Sequence, residues 1–129
     1  MKTQDQVPVK VQIECTPVYV AEESKPEQSY YFFSYKVRIH NKSRQTLQIL
    51  SRHWVIVDSL GRTEEVRGPG VVGLQPKIQP DKFFEYESAC PLTTSTGSMK
   101  GAYTMMTEDG QSVEVSIPEF YLICPQSLH

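Results

Sequence analysis

The stretch Tyr30 to Asn41 (YYFFSYKVRIHN) narrows the fold more than any other part of the chain. Tyr31, Phe33, Tyr35, Val37 and Ile39 recur at every second position against Ser34, Lys36, Arg38 and His40. A period of two marks a strand with one face in a core. Tyr30 and Phe32 put two aromatic rings on the otherwise polar side. Such a strand needs neighbours, and the chain supplies them. Val9, Val11, Ile13 and Cys15 alternate with Lys10, Gln12 and Glu14. Leu47 to Asp58 (LQILSRHWVIVD) forms a third strand, and Thr63 to Val66 a short polar one. Phe83 to Glu87 forms another short strand, and Ser88 to Ser98 is expected to be a long connection. Met99 to Thr107 and Ser112 to Ile117 flank Glu108-Asp109-Gly110-Gln111, where Asp-Gly signals a tight hairpin. Pro118 is expected to end that strand, and Phe120 to Cys124 to form a last one.

No segment shows an apolar period of 3.6 residues, so the helical crossovers that parallel strands require are absent. The expectation is all-β: an antiparallel β-sandwich formed by residues 9–129 as a single domain behind a flexible segment 1–8. At 129 residues the chain can bury roughly two-thirds of its unfolded surface and needs no staples.

Leu50, Trp54 and Ile56 share one face of the third strand with Arg52, and Ile49, Val55 and Val57 share the other with Ser51 and His53. Placing Trp54 in the core leaves Ile49, Val55 and Val57 to be covered by something else. Together with Tyr30 and Phe32 they are the candidate interaction surface, for a protein partner or a second copy of the chain.

Gly68, Gly70 and Gly73 in RGPGVVGLQP satisfy G-x-G-x-x-G. The phosphate-binding form of that pattern opens a helix, and Pro76 and Pro80 forbid one here. A weaker anion site remains conceivable, with the N–H groups of Gly70, Val71, Val72 and Gly73 converging as a nest. Gly68 belongs to the candidate site, Pro69 removes one donor from it, and Arg52, Arg67, Arg62 and Lys77 would add charge. The alternative is structural: the loop crosses between the sheets, with Val71, Val72 and Leu74 plugging the sandwich.

Cys15, Cys90 and Cys124 are an odd, scattered set, and His40, His53 and His129 lack ligand spacing, so no metal site and no cofactor are expected. The thiols read as reduced, small apolar residues of a cytoplasmic protein. No nucleophile lies beside a base in the sequence, and no catalytic residue is assigned. A formal charge of −2 argues against a nucleic-acid partner, and no apolar run is long enough to span a membrane.

The ordered set Leu50-Ser51-Arg52-His53-Trp54, Glu65-Val66-Arg67-Gly68-Pro69-Gly70-Val71-Val72-Gly73-Leu74-Gln75-Pro76, Phe84-Glu85-Tyr86, Cys90-Pro91-Leu92 and Gly97-Ser98-Met99-Lys100-Gly101 resembles the ApaG family of small bacterial proteins. The resemblance covers Val9 to His129 and implies an immunoglobulin-type, fibronectin type III-like sandwich. It also implies an association with cobalt and magnesium resistance or efflux and, by gene neighbourhood, with diadenosine tetraphosphate metabolism. The domain's use as an appended module in eukaryotic F-box proteins and in a polymerase-associated protein implies protein binding. Phosphate or nucleotide binding through the glycine loop is the alternative. The family usually carries an acidic residue between the first two glycines, where this chain has Pro69.

Overall fold

A computed structural model describes residues 9–125; the segment 1–8 and His129 lie outside them. The described residues form eight strands: β1 Val11–Tyr19, β2 Tyr31–Asn41, β3 Leu47–Asp58, β4 Thr63–Pro69, β5 Lys77–Ile78, β6 Phe83–Leu92, β7 Thr96–Met106 and β8 Ser112–Ile123. All pairings are antiparallel. One sheet runs β1-β2-β6, and the other runs β4-β3-β7-β8 with β5 also on β3. The expected antiparallel β-sandwich is the fold. Two single 3-10 turns, Ala21–Glu23 and Pro26–Gln28, occupy the charged loop after β1. Among the described residues no helix is long and apolar enough to cross a membrane.

The alternation of β2 does what it predicts: Phe33, Tyr35, Val37 and Ile39 are buried between the sheets. Trp54 meets them from β3, 3% exposed, with Tyr35 and Phe120 edge-on at ring distances of 5.5 and 5.9 Å. Tyr86 and Tyr103 join the sheets by a buried hydroxyl pair 2.5 Å apart, which satisfies two polar groups that would otherwise be costly inside.

Three boundaries differ from the sequence reading, each for a reason in the backbone. Ser88 to Ser98 is not a long connection: β6 continues to Leu92, because it is an edge strand that tolerates Pro91, and β7 begins at Thr96. Nor does Pro118 end a strand. It sits where the β7–β8 register shifts between Met99 and Gly101, and β8 passes through the irregularity to Ile123. In β3 the register to β7 slips between Ile49 and Ser51, leaving Leu50 as the extra residue. The bulge reverses the parity of the strand, so Leu47 and Ile49 point inward on one side of it and Trp54 on the other.

Candidate functional site

The glycine loop does not cross between the sheets. β4 pairs with β3 as far as Pro69↔Ser51, Gly70 donates its N–H to Leu50 O (2.8 Å), Ile49 donates to Pro76 O (3.0 Å), and β5 resumes on Gln48 and Leu47. The loop is thus an excursion from one broken edge strand and returns to the same edge. Inside it, Val71 and Leu74 exchange both backbone hydrogen bonds at 2.8 Å around Val72 and Gly73, whose φ values are 41° and 82°. Positive φ at both central residues is a type I′ turn. Gly70, at φ 61°, could not carry a side chain, since a Cβ would lie 2.1 Å from Leu74 O. Val72 is a β-branched residue in a left-handed conformation, which its own sterics disfavour by about 1–2 kcal/mol.

This geometry corrects two expectations. Only Val71 plugs the core, at 0% exposure, while Val72 and Leu74 are more than half exposed at and beside the hairpin tip. The proposed nest also loses donors, because the N–H groups of Gly70 and Val71 already bond to Leu50 and Leu74 carbonyls. Arg52 turns its Nη1 onto the carbonyls of Pro69 and Gly70, both at 3.0 Å, and its guanidinium lies 3.0 Å from where a Cβ on residue 68 would sit, a tight contact. Gly68 therefore makes room for Arg52, and Arg52 clamps the loop from its own carbonyls. Arg67 is paired at 3.4 Å with Glu65, whose carboxyl is held below its usual range chiefly by a hydrogen bond from His53 Nε2 (2.8 Å). Arg62 is tied to Asp58 (2.7 Å) at the other end of β3 and Lys77 lies on β5 beyond the loop, so Arg52 alone of the expected cations bonds to the loop, and it does so through carbonyls.

The expected interaction surface is likewise split. Ile49 is 0% exposed and belongs to the core, a consequence of the bulge at Leu50. Val55 and Val57 do face outward, on the larger sheet, whereas Phe32 faces outward on the smaller one, so the two pairs lie on opposite sides of the molecule. Phe32 and Tyr30 are further engaged by the segment 21–29. Ser24 Oγ accepts the Phe32 N–H (2.9 Å), and Tyr30 exchanges backbone hydrogen bonds with Lys25.

Strand pairing adds residues that the sequence reading left out. Across the larger sheet, Val57 lies beside Ser98, and Ser98 beside Tyr121; Thr96 lies beside Ile123. Tyr121 is 59% and Ile123 43% exposed. Val55, Val57, Tyr121 and Ile123 thus share one solvent face, with the small Ser98 between Val57 and Tyr121. The alternation of Tyr121 and Ile123 against buried Phe120 and Leu122 was available as a signal once β8 is read as a single strand.

The chemistry of the remaining groups is quiet. Cys15, Cys90 and Cys124 are thiols, and burial pushes those of Cys15 and Cys90 up to about 11, so neither is a thiolate nucleophile at neutral pH. His40 pairs with Asp81 (2.9 Å) and stacks on Phe83 on the smaller sheet, and His53 binds Glu65 on the larger one. Among the described residues no three His, Cys, Asp or Glu side chains come together as a metal-binding group.

Comparison with known proteins places this arrangement. A family profile for the ApaG domain matches residues 21–107. Protein ApaG of Bdellovibrio bacteriovorus is 61% identical over 118 residues, covering 92% of this chain and 93% of that protein. Protein ApaG of Chromobacterium violaceum is 48% identical over 120 residues, covering 93% and 95%. The crystal structure of an ApaA protein from Bordetella pertussis superimposes with a TM-score of 0.89 at 47% identity, over 93% of this chain and 98% of that one. None of these names carries an activity. The chain belongs to the ApaG family.

Proposed function

We propose that this chain is a non-catalytic binding module of the cytoplasm that docks a protein on the outer face of its larger sheet. The observation that carries the reading is the row of Val55, Val57, Tyr121 and Ile123 on regular, well-paired strands, where a solvated sheet face would be polar. A rigid flat face with a large amphipathic ring and β-branched neighbours suits an interface, because little side-chain freedom is lost on docking. The links to cobalt and magnesium resistance and to diadenosine tetraphosphate metabolism that the family resemblance implies would then run through the partner.

Light scattering on a sizing column tests a second copy as the partner, and capture from lysate tests a foreign one. The double variant Tyr121→Ser/Ile123→Ser should keep its melting temperature and lose the complex. A wild type that is monomeric and captures nothing, or a variant that retains its complex, contradicts the reading.

A further inference from the structure

Five cations converge on one end of the sandwich: Lys10 at the start of β1, Lys42 and Arg44 in the β2–β3 turn, Lys77 on β5 and Lys82 in the β5–β6 turn. All five are exposed, and none has a carboxylate partner among the described residues. The carboxylates at this end are already committed. Asp81 holds His40, Asp109 accepts from the Thr107 hydroxyl, and Glu108 accepts the Thr46 N–H (2.8 Å) while Gln45 Oε1 accepts the Glu108 N–H (3.0 Å). On a chain of net charge −2 this end is a local excess of positive charge.

The cations surround two adjoining depressions. One, of about 620 Å³, has Ile78, Phe84 and Met106 in its lining with Lys77 and Lys82. The other, of about 690 Å³, is bordered by Lys10, Lys42 and Arg44, with Asp109 also in its lining. Glu108 lines both. The end is also built to hold its shape. Asn41, 0% exposed, donates to Gln45 O (2.9 Å) and Ile78 O (2.7 Å) and accepts from Ser43 N–H and Oγ (2.9 and 2.6 Å). Its backbone carbonyl accepts the Asp81 N–H, and its N–H donates to Lys82 O. One buried residue thus ties together the β2–β3 turn and β5 by its side chain and the β5–β6 turn by its backbone, the three segments that present Lys42, Arg44, Lys77 and Lys82.

We infer that this end binds an acidic peptide segment of a partner protein, with carboxylates in both depressions and an apolar residue on Ile78, Phe84 and Met106. Charge complementarity selects the anion, and the apolar lining selects a side chain beside it. Glu108, a carboxylate shared by the two depressions, selects a peptide over a continuous polyanion, since a polyphosphate spanning both meets that carboxylate at short range. The site is separate from the outer face of the larger sheet and does not depend on it.

The test is an amide chemical-shift titration with a synthetic peptide carrying paired Asp residues at both ends and Phe and Leu between them. A copy with Asn for Asp, a copy with Ser for Phe and Leu, and tripolyphosphate are the comparators. Saturable shifts are expected at Thr46, Lys77, Met106 and Thr107 with the first peptide and not with its two copies. Lys77→Glu/Lys82→Glu, a change at exposed positions checked by its melting curve, should weaken binding by about fivefold or more, and added salt should weaken it further. Lys100→Glu, on the larger sheet, should leave it unchanged. Absence of saturable shifts, equal binding of either copy, or tighter binding of tripolyphosphate at the same lysines overturns the assignment.

Discussion

The outer faces of the two sheets rest on the same alternation and carry different chemistry. On the smaller sheet the paired rows read Gln12–His40–Phe83, Glu14–Arg38–Glu85 and Thr16–Lys36–Glu87. Arg38 lies 3.3 Å from Glu85 and 4.0 Å above the Phe83 ring, and His40 stacks on the same ring. The Arg38–Glu85 ion pair and the His40–Phe83 stack join neighbouring strands here, the kind of cross-strand pairing that suits a sheet face in water. On the larger sheet the rows are Glu65–Val55–Lys100, Thr63–Val57–Ser98–Tyr121 and Thr96–Ile123. There His53 and Lys100 lie on the two middle strands, and the apolar residues Val57, Tyr121 and Ile123 gather beyond them toward one end of the sheet. The two faces therefore differ in where their apolar groups lie: on the smaller sheet Val18 and Phe32 sit beyond the charged rows and Phe83 is partly covered by Arg38 and His40, while on the larger one Val57, Tyr121 and Ile123 form one patch.

The largest effect lies between the faces. Trp54→Ala should cost about 3–5 kcal/mol, because the ring is clasped by Tyr35 and Phe120 and the cavity cannot collapse between two sheets. Urea melts decide it. A loss below about 1 kcal/mol would mean that the Trp54 side of β3 is not the core, and the assignment of inner and outer faces would reverse.

A smaller effect of opposite sign is expected at the edge of the larger sheet. Val72→Asn should stabilise the protein by about 1 kcal/mol, since Asn-Gly suits a type I′ turn and Val does not. Val72→Asp should be tolerated as well, because the tip is exposed. A marked destabilisation by either would return Val72 to the interior, where the sequence reading had put it.

The smallest effect belongs to the charged face. Arg38→Ala should cost about 0.5–1 kcal/mol, shrinking as salt is added, since both partners of the pair are close to half exposed. A salt-independent loss would show that this face is held by packing rather than by exposed charge.

These faces were only partly legible in the sequence. The β2 pattern is clean because nothing interrupts its pairing, so inward and outward residues could be read directly from Phe33 to Ile39. β3 and β8 were misread at Leu50 and Pro118, where the register slips against β7. A bulge changes which residues share a face and leaves no reliable mark in composition, and that is why Ile49 was placed outside. Tyr121 and Ile123 become visible as surface only when β8 is continuous. The glycine loop misled in another way. Its G-x-G-x-x-G spacing is real, yet it serves a hairpin tip, a close carbonyl at Gly70 and room for Arg52. Arg52 itself could not be assigned from sequence, because its partners are backbone carbonyls. Asn41 read as a turn residue, and its role in gathering three segments depends on contacts with Ile78 that only the fold creates.

The comparison of the faces is tested most directly by site-specific photo-crosslinking in the cell of origin. A benzoylphenylalanine is placed at Tyr121 in the apolar row of the larger sheet or at Lys36 in the charged rows of the smaller one. The account predicts a discrete adduct, with a second copy or with one partner protein, from position 121 and none from position 36. No adduct from position 121, or the same adduct from both positions, would contradict it.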